Sequence, residues 1–581
     1  MKERILILLL MLQCWVVSLC ALEPFSVHDV RLLDSRWRDN VRRDSAWICS
    51  FTTQQMLHSF RTTAGVYSAY EGGYDVFAKF GGWESLDCDL RGHAIGHLMT
   101  AYAYAYASTG YDIYRLKGDS LVQGIRECQR MIGTGYVSAF PEGLINRNIA
   151  GKSVWAPWYT LHKVMSGLRA QADLCGSDTA AVIIRDFTDW AVAKVKDVPD
   201  RARMLRNEFG GIAEPIPALR EYFYDAAKLD PLYAGDFDMG TMHTNTFLPK
   251  MLVECHKHPG DSMPVRFFEQ MVNHHCYASG SISDKEHFFA PGEMSKHLSG
   301  YTGESCCTYN MLRLARELYK QHPDNGLYMD YYERALVNHI LGQQDPTTGM
   351  VHYFLPMLTG GYKLYCTPMH SFWCCVGTGF ENPMRFTESI YWHNNATAMS
   401  AKTSDTIYVN LFIASRLDWK EKGLVLRQET AFPRSDQSCL IIEQAPKEKM
   451  TIAVRIPSWT GKKGGYKYYT RRWKTGDKIA ISLPMRLTEV YTPDSTRVAY
   501  MYGPILLAGR LGKVDKPFSN PTKHNDYYTF NYQVPDSIQT VGAPIELQST
   551  GLFGEFVSPE GIVVSPLYDI HHERYVVYWQ K

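Results

Sequence analysis

The chain has 581 residues, a formal net charge of +1, 45% hydrophobic and 21% charged residues. That length accommodates two or three domains, and the composition is ordinary for a globular protein. A charge so close to neutral argues against nucleic acid or an anionic membrane surface as the main partner.

At the N-terminus, Lys2 and Arg4 precede an apolar run from Ile5 to Met11 that continues through Trp15 and Val17. The small residues Ser18 to Ala21 follow, interrupted by Leu19. This order reads as an export signal over residues 1–21, cleaved near Ala21. Cys20 invites a lipoprotein reading, but Leu19 is bulky where a small residue is expected before a lipidated cysteine. No other stretch is long and apolar enough to span a bilayer. A periplasmic or secreted protein is the expectation.

From about residue 37 to 345 the pattern is helical. The expected helices are Trp37 to Phe60, Leu90 to Ser108, Leu161 to Leu174, Ile183 to Val195, Ala218 to Ala227, Thr246 to His256, Met311 to Tyr319 and Tyr331 to Leu341. The Ala-Tyr alternation inside the second imitates a strand. Loops rich in Gly, Pro and aromatics separate the helices, as at Tyr70 to Trp83 and Gly151 to Trp158. Many helices with long loops gathered at one end suggest an α/α toroid that carries function on its loops. After about residue 390, Leu440 to Ile442, Thr451 to Ile456, Lys478 to Leu483, Val498 to Tyr502 and Tyr575 to Trp579 read as strands. The expected organisation is a catalytic toroid over 22–389 and a β-sandwich over 390–581. Lys516 to Asn525 reads as a polar loop.

Twelve of the 14 cysteines follow the signal, which is a tension, because exported proteins tend to oxidise their thiols. The adjacent pairs Cys306-Cys307 and Cys374-Cys375 bridge poorly within themselves. Metal ligation would explain surviving thiolates. Three thiolates and a carboxylate can close a tetrahedral zinc site, and Glu304, Cys306, Cys374 and Cys375 supply that set. Spacing alone leaves buried thiols and a helix-capping glutamate equally open, since no CxxC is present. Glu286, in Asp284-Lys285-Glu286-His287-Phe288, is either a solvated loop charge or a carboxyl poised to donate a proton. His93 and His97 share one helix face as in an HExxH zinc helix, but Ala94 stands where the catalytic glutamate belongs. Lining a polar pocket is the reading preferred for them. The 37 Tyr and 13 Trp would suit sugar rings, and a large core would use them equally well.

Several runs come in a telling order: Gly81-Gly82-Trp83-Glu84, Gly92-His93…Gly96-His97, Pro157 to Lys163 (PWYTLHK), Asn207 to Gly211 (NEFGG), His243-Thr244-Asn245-Thr246, Gly303 to Met311 (GESCCTYNM), Phe372 to Gly379 (FWCCVGTG), Arg455 to Trp459 (RIPSW), Gly503-Pro504 and the closing His571 to Trp579. Together they resemble the β-L-arabinofuranosidases of glycoside hydrolase families 127 and 146 over nearly the whole mature chain. The two cysteine motifs are specific; a Gly-His pair or a Gly-Pro is not.

The resemblance implies an (α/α)6 barrel and a retaining hydrolase with a cysteine nucleophile. By position Cys374 would attack the anomeric carbon, and Glu304, Cys306, Cys374 and Cys375 would hold Zn2+. Glu286 matches the acid/base by local context. His162, His243 and Tyr353 match sugar-contacting positions, with Glu208 and His97 as further pocket residues. Pro215 and Pro217 depart from the family's unbroken helix start after Glu214. The expected substrate is a plant glycan bearing terminal β-L-arabinofuranosyl groups. The competing readings are the same machinery on another pectic sugar and a glycan-binding protein without turnover. The sequence leaves the oligomeric state open.

Overall fold

The computed structural model of the chain describes residues 22–66, 78–206, 209–222, 243–257, 260–394, 405–514 and 546–581, with 518, 520, 534, 538, 541, 542 and 544. The expected export signal, Glu208, the end of the expected helix Ala218 to Ala227, part of the loop Tyr70 to Trp83 and most of Lys516 to Asn525 lie outside the described residues. The chain divides into two compact units. One holds 36–314, 334–385 and 486–581; the other holds the chain up to Ser35, then 315–333 and 386–485.

The first unit is built mainly of helices. Where the sequence suggests one helix over Trp37 to Phe60, there are two, α1 (Arg36–Ser50) and α2 (Thr53–Ala64). Thr52 causes the restart. Its hydroxyl accepts from the Gln55 amide while the Gln55 side chain accepts from the Thr52 amide, a reciprocal cap that makes a new N-terminus favourable there. α3 (His93–Thr109) follows, and its Ala-Tyr alternation is helical because nearly every side of it is buried. The expected helices at Leu161 and Ile183 are α6 (Pro157–Cys175) and α7 (Asp178–Val195). α4 (Asp112–Ile132), the longest α-helix among the described residues, and the short α5 (Gly143–Ile149) were not foreseen. α8 (Arg201–Arg206), α9 (Thr244–Lys257) and α10 (Ser262–Gln270) lead to α11 (Ser305–Gln321), which begins six residues before the expected Met311 start. α12 (Leu327–Ala335) continues as a π-turn over Leu336–Ile340, and α13 (Cys374–Glu381) completes the set. Around Ala218 only a short 3-10 turn, Pro217–Leu219, forms before the described residues stop at 222.

α3 and α6 pack with almost no gap. A Cβ on Gly96 would fall 2.2 Å from the Lys163 carbonyl carbon, so glycine is what allows the two backbones to approach. Leu57, Leu98, Ile125, Trp158, Leu168 and Phe187 are fully buried in the core that these helices share. Each such side chain contributes about 1.5–3 kcal/mol relative to exposure. The same unit carries an eight-stranded sheet from the C-terminal residues. Its centre is the hairpin of Arg497–Tyr502 and Ile505–Lys513, turned at Gly503-Pro504, with Glu573–Val576 paired to the second strand. Asn338 fastens the turn, donating to the Pro504 carbonyl and accepting from the Leu506 amide, each at 2.7 Å.

The second unit holds two five-stranded sheets, each made of four strands from residues 391–482 and one N-terminal edge strand, Glu23–Pro24 in one and Val30–Leu32 in the other. The strands expected at Leu440, Thr451 and Lys478 are Gln437–Gln444, Met450–Ile456 and Lys478–Ser482. Arg455 is buried and ion-paired to Glu333 and Asp330 at 2.5 Å each. Among the described residues no helix is long and apolar enough to cross a membrane.

Candidate active site

Two helix N-termini deliver the cysteine motifs to one place. Glu304 immediately precedes α11, and Cys306 is in its first turn; Cys374 and Cys375 are the first two residues of α13. The positive end of a helix dipole favours a thiolate there. The ligand atoms of Glu304, Cys306, Cys374 and Cys375 all lie within 4.8 Å of one another, and all four residues are buried.

The spacing suits a common metal ion. Two sulfurs each ~2.3 Å from a tetrahedral centre stand about 3.8 Å apart. Cys374 Sγ and Cys375 Sγ are 3.8 Å apart, and the Glu304 Oε1 to sulfur distances are 3.5 Å to Cys374 and 4.0 Å to Cys375. Burial pushes Glu304, Cys374 and Cys375 well above their ordinary values. Burial also opposes ionisation of Cys306, but hydrogen bonds from the other two thiols bring it down to about 6. The cluster thus supports one anion by itself and needs a cation to hold more.

Neighbours fix the carboxylate. Asn245 Nδ2 donates to Glu304 Oε1, Cys307 Sγ donates to Glu304 Oε2 at 3.1 Å, and Thr378 Oγ1 lies 3.2 Å from Cys306 Sγ. Sequence reasoning quoted Asn245, Cys307 and Thr378 inside motifs without giving them a role. Thr378 and Cys307 stand in the cysteine motifs themselves, whereas Asn245 lies some sixty residues upstream of Glu304 and no local signal ties it to them. Gly377 is equally constrained, since a Cβ there would lie 2.2 Å from the His97 ring.

Glu286 reaches the same place. Its turn is unusual, with Ser283, Lys285 and Glu286 all at positive φ (84°, 50° and 68°), a conformation non-glycine residues adopt only when surroundings impose it. The Glu286 carbonyl accepts from the Thr244 amide at 2.8 Å and from the Thr244 hydroxyl at 2.9 Å, which pins the turn to α9. Its side chain accepts from Tyr353 OH and lies 3.5 Å from His243 Nε2. Tyr353 OH in turn accepts from Cys374 Sγ at 3.2 Å. Glu286, Tyr353, His243 and the thiol cluster therefore form one constellation.

His97 and His162 are placed differently. His97 Nδ1 is 2.5 Å from Glu381, which Tyr309 OH and Arg385 also engage; His162 Nε2 is 3.5 Å from Glu214, itself paired with Arg313. Burial holds both imidazoles below their ordinary value, His162 at about 4. Glu381 resists its own burial and stays down at about 2, because His97, Arg385 and Tyr309 stabilise its charge. A neutral His97 donating Nδ1–H satisfies both shifts. His93 belongs to another carboxylate, Glu84, at 3.3 Å, so the two helix-face histidines do not converge on a metal. Glu84 also accepts from the Gly92 and Ala94 amides at 2.6 and 2.9 Å and thereby caps α3 from the 3-10 turn Gly82–Glu84 just upstream.

Against known proteins, the profile of the β-L-arabinofuranosidase GH127 catalytic domain matches residues 29–388, and that of the GH127 middle domain matches 406–485. A solved GH127 β-arabinofuranosidase aligns over 97% of this chain and 98% of its own with 15% identity and a TM-score of 0.69. A GH127 β-L-arabinofuranosidase from Geobacillus stearothermophilus T6 aligns over 95% and 99% with 15% identity and a TM-score of 0.66. A third structure, a glycoside hydrolase, covers 96% and 98% at 14% identity and a TM-score of 0.66. No curated protein matches the sequence.

Proposed function

The chain belongs to glycoside hydrolase family 127 and is a glycoside hydrolase, and from that premise we propose that it releases terminal β-L-arabinofuranosyl groups from plant glycans with retention of configuration. The observation that carries the reading is the single constellation of Glu286, Tyr353 and Cys374 beside Glu304, Cys306 and Cys375.

Glu304, Cys306, Cys374 and Cys375 would hold Zn2+, in keeping with a soft, sulfur-rich donor set and its spacing. When bound, zinc keeps buried thiols deprotonated at neutral pH. The protein's own groups carry the reaction. The Cys374 sulfur attacks the anomeric carbon while the Glu286 carboxyl gives its proton to the departing glycosidic oxygen. Glu286, now a carboxylate, takes a proton from water, whose oxygen displaces sulfur from the anomeric carbon. Two inversions give net retention. Tyr353 orients Glu286 and Cys374, and His243 faces the same carboxylate. We assign His162 and His97, with their carboxylate partners, to the pocket wall; Glu208 is retained as a pocket candidate.

The helical part is proposed as an (α/α)6 toroid and the sheets of 391–482 as a sandwich. Residues 1–21 are proposed as an export signal, which places the mature protein in the periplasm or outside the cell. Hydrolysis of a chromogenic β-L-arabinofuranoside tests the assignment. Turnover of that glycoside with retention is expected. No turnover by metal-loaded protein, together with cleavage of a different pectic sugar, would move the specificity to that sugar.

A further inference from the structure

α3, α6, α11 and α13 all begin at the thiol end, and further along them their side chains enclose a second space. A cavity of about 560 Å³ is lined from these helices, from residues 214–220, from His256 of α9 and from Arg385 just beyond α13. Arg313 and Glu381, which line it, stand seven residues beyond Cys306 and Cys374, or about 10 Å along their helices. None of the cluster's ligands lines it. Arg169 and Asp173, half-exposed at its rim, open it to solvent.

Its wall carries five lysine or arginine side chains and three carboxylates. Arg313 is matched by Glu214, Arg385 by Glu381 and Arg169 by Asp173. Arg220 donates to the Ala213 carbonyl at 3.4 Å. Lys163 is left over. It is 6% exposed, yet its ammonium has no hydrogen bond and no ion pair among the described residues; the face of Tyr159 is 5.3 Å away. A buried ammonium without a direct partner is costly, and burial pushes Lys163 below its ordinary value although Glu381 and Glu214 act on it at longer range. The wall also offers the hydroxyl of Ser166, whereas that of Thr100 donates to the Gly96 carbonyl at 3.3 Å.

We propose that this cavity is a binding site for a compact oxyanion, with Lys163 as its counter-ion and the Ser166 hydroxyl as a donor. The excess of positive groups concentrates anions there, and an oxyanion supplies the acceptors that a lone ammonium lacks. Two sources share this chemistry: the carboxylate of a sugar acid and a free inorganic oxyanion. The cavity contains none of the thiol cluster's four residues but shares His162, Glu214 and Glu381 with the pocket wall assigned above, so the proposal rests on that assignment of the wall and not on which sugar is cleaved.

The test is calorimetric titration of full-length, metal-loaded protein at constant ionic strength, with galacturonate, inorganic phosphate and neutral galactose as probes. At least one anion should bind with a millimolar or tighter dissociation constant, and galactose should not. Galacturonate alone would assign a sugar acid; phosphate binding as well or better would assign a free oxyanion. Lys163→Met should weaken the anion at least tenfold. If that variant does not fold, Ser166→Phe, which narrows the cavity and leaves the charge, should produce the same loss. Binding of neither anion, or equal binding by wild type and the folded variant, overturns the proposal.

Discussion

Tyr353 OH accepts from Cys374 Sγ at 3.2 Å and donates a hydrogen bond to the Glu286 carboxyl group. One hydroxyl therefore touches both the group assigned to attack carbon and the group assigned to move the proton. A phenol in that position holds two reactive groups at a fixed separation without competing for carbon. Tyr353→Phe removes both hydrogen bonds and keeps the ring that packs on Trp373 with centroids 5.8 Å apart. A hydrogen bond to a charged group contributes about 1.5–3 kcal/mol, so kcat should fall roughly 10- to 100-fold, with a smaller change in KM. Steady-state kinetics on the chromogenic glycoside checks this, and an unchanged kcat would remove Tyr353 from the machinery.

Glu286→Gln should slow hydrolysis most where the leaving group is poor. Protonation of the glycosidic oxygen contributes about 10²–10⁴-fold, and an activated aryl leaving group needs little of it. A plot of log rate against leaving-group pKa should steepen in the variant. Parallel plots for the two proteins would return Glu286 to a turn residue held in place by Thr244.

Metal content and activity should fall together in Cys306→Ser. Cys306 is the cluster's most acidic thiol, at about 6, and serine offers no comparable soft anion. Elemental analysis of wild type should give about one zinc per chain, and the variant well under half of that. Full activity in protein stripped of metal would defeat the zinc assignment.

The Glu381 carboxylate should confer acid-sensitive stability. Its folded value, about 2, lies below the ordinary 4.5 because His97, Arg385 and Tyr309 offset the cost of its burial. A depressed acid stabilises the fold fully above about pH 4.5, and that contribution fades as pH falls towards 2. It amounts to on the order of 3 kcal/mol at most. Urea unfolding at pH 3 and pH 6 should show a smaller difference in Glu381→Gln than in wild type. Equal differences would mean that the His97 pair does not select the ionised form.

The sequence pointed to Glu304, Cys306, Cys374 and Cys375 together because both cysteine pairs sit in the specific motifs that carry the family resemblance, and the structure brings these four residues into one buried cluster; spacing alone left buried thiols equally open. The tertiary relations were not legible. Glu286 is surrounded by charges typical of a solvated loop, and only the Thr244 contact and the turn's positive φ angles aim it inward. Glu84 caps α3 from a separate turn upstream of the helix, outside the N-cap position where a cap is read from sequence. Periodicity located most helices but missed α4, and it ran α1 and α2 together because a cap interrupts the chain without interrupting the apolar pattern. The C-terminal strands were recognised as strands. Their division between two units depends on long-range partners such as Asn338 with Pro504 and Leu506, which no local pattern encodes.

The assignment of Cys374 rather than Cys375 as nucleophile rests on asymmetry around two adjacent sulfurs. Both are buried and both approach Glu304. Cys374 alone of the two contacts Tyr353, and through it Glu286, among the hydrogen bonds of the described residues. Cys374 is also 6% exposed, whereas Cys375 is fully buried. A ligand that stays bound needs no access to substrate; a nucleophile must present a lone pair to the anomeric carbon. An arabinofuranose-shaped epoxide or haloacetamide should therefore label Cys374, arabinose should block the reaction, and bound metal should protect Cys306 and Cys375. Cys374→Ser should lose turnover by several orders of magnitude while still folding. Peptide mapping by mass spectrometry reads the site. Label on Cys375 would exchange the two roles, and label on Glu286 or Glu304 would replace the thiolate mechanism with a two-carboxylate one.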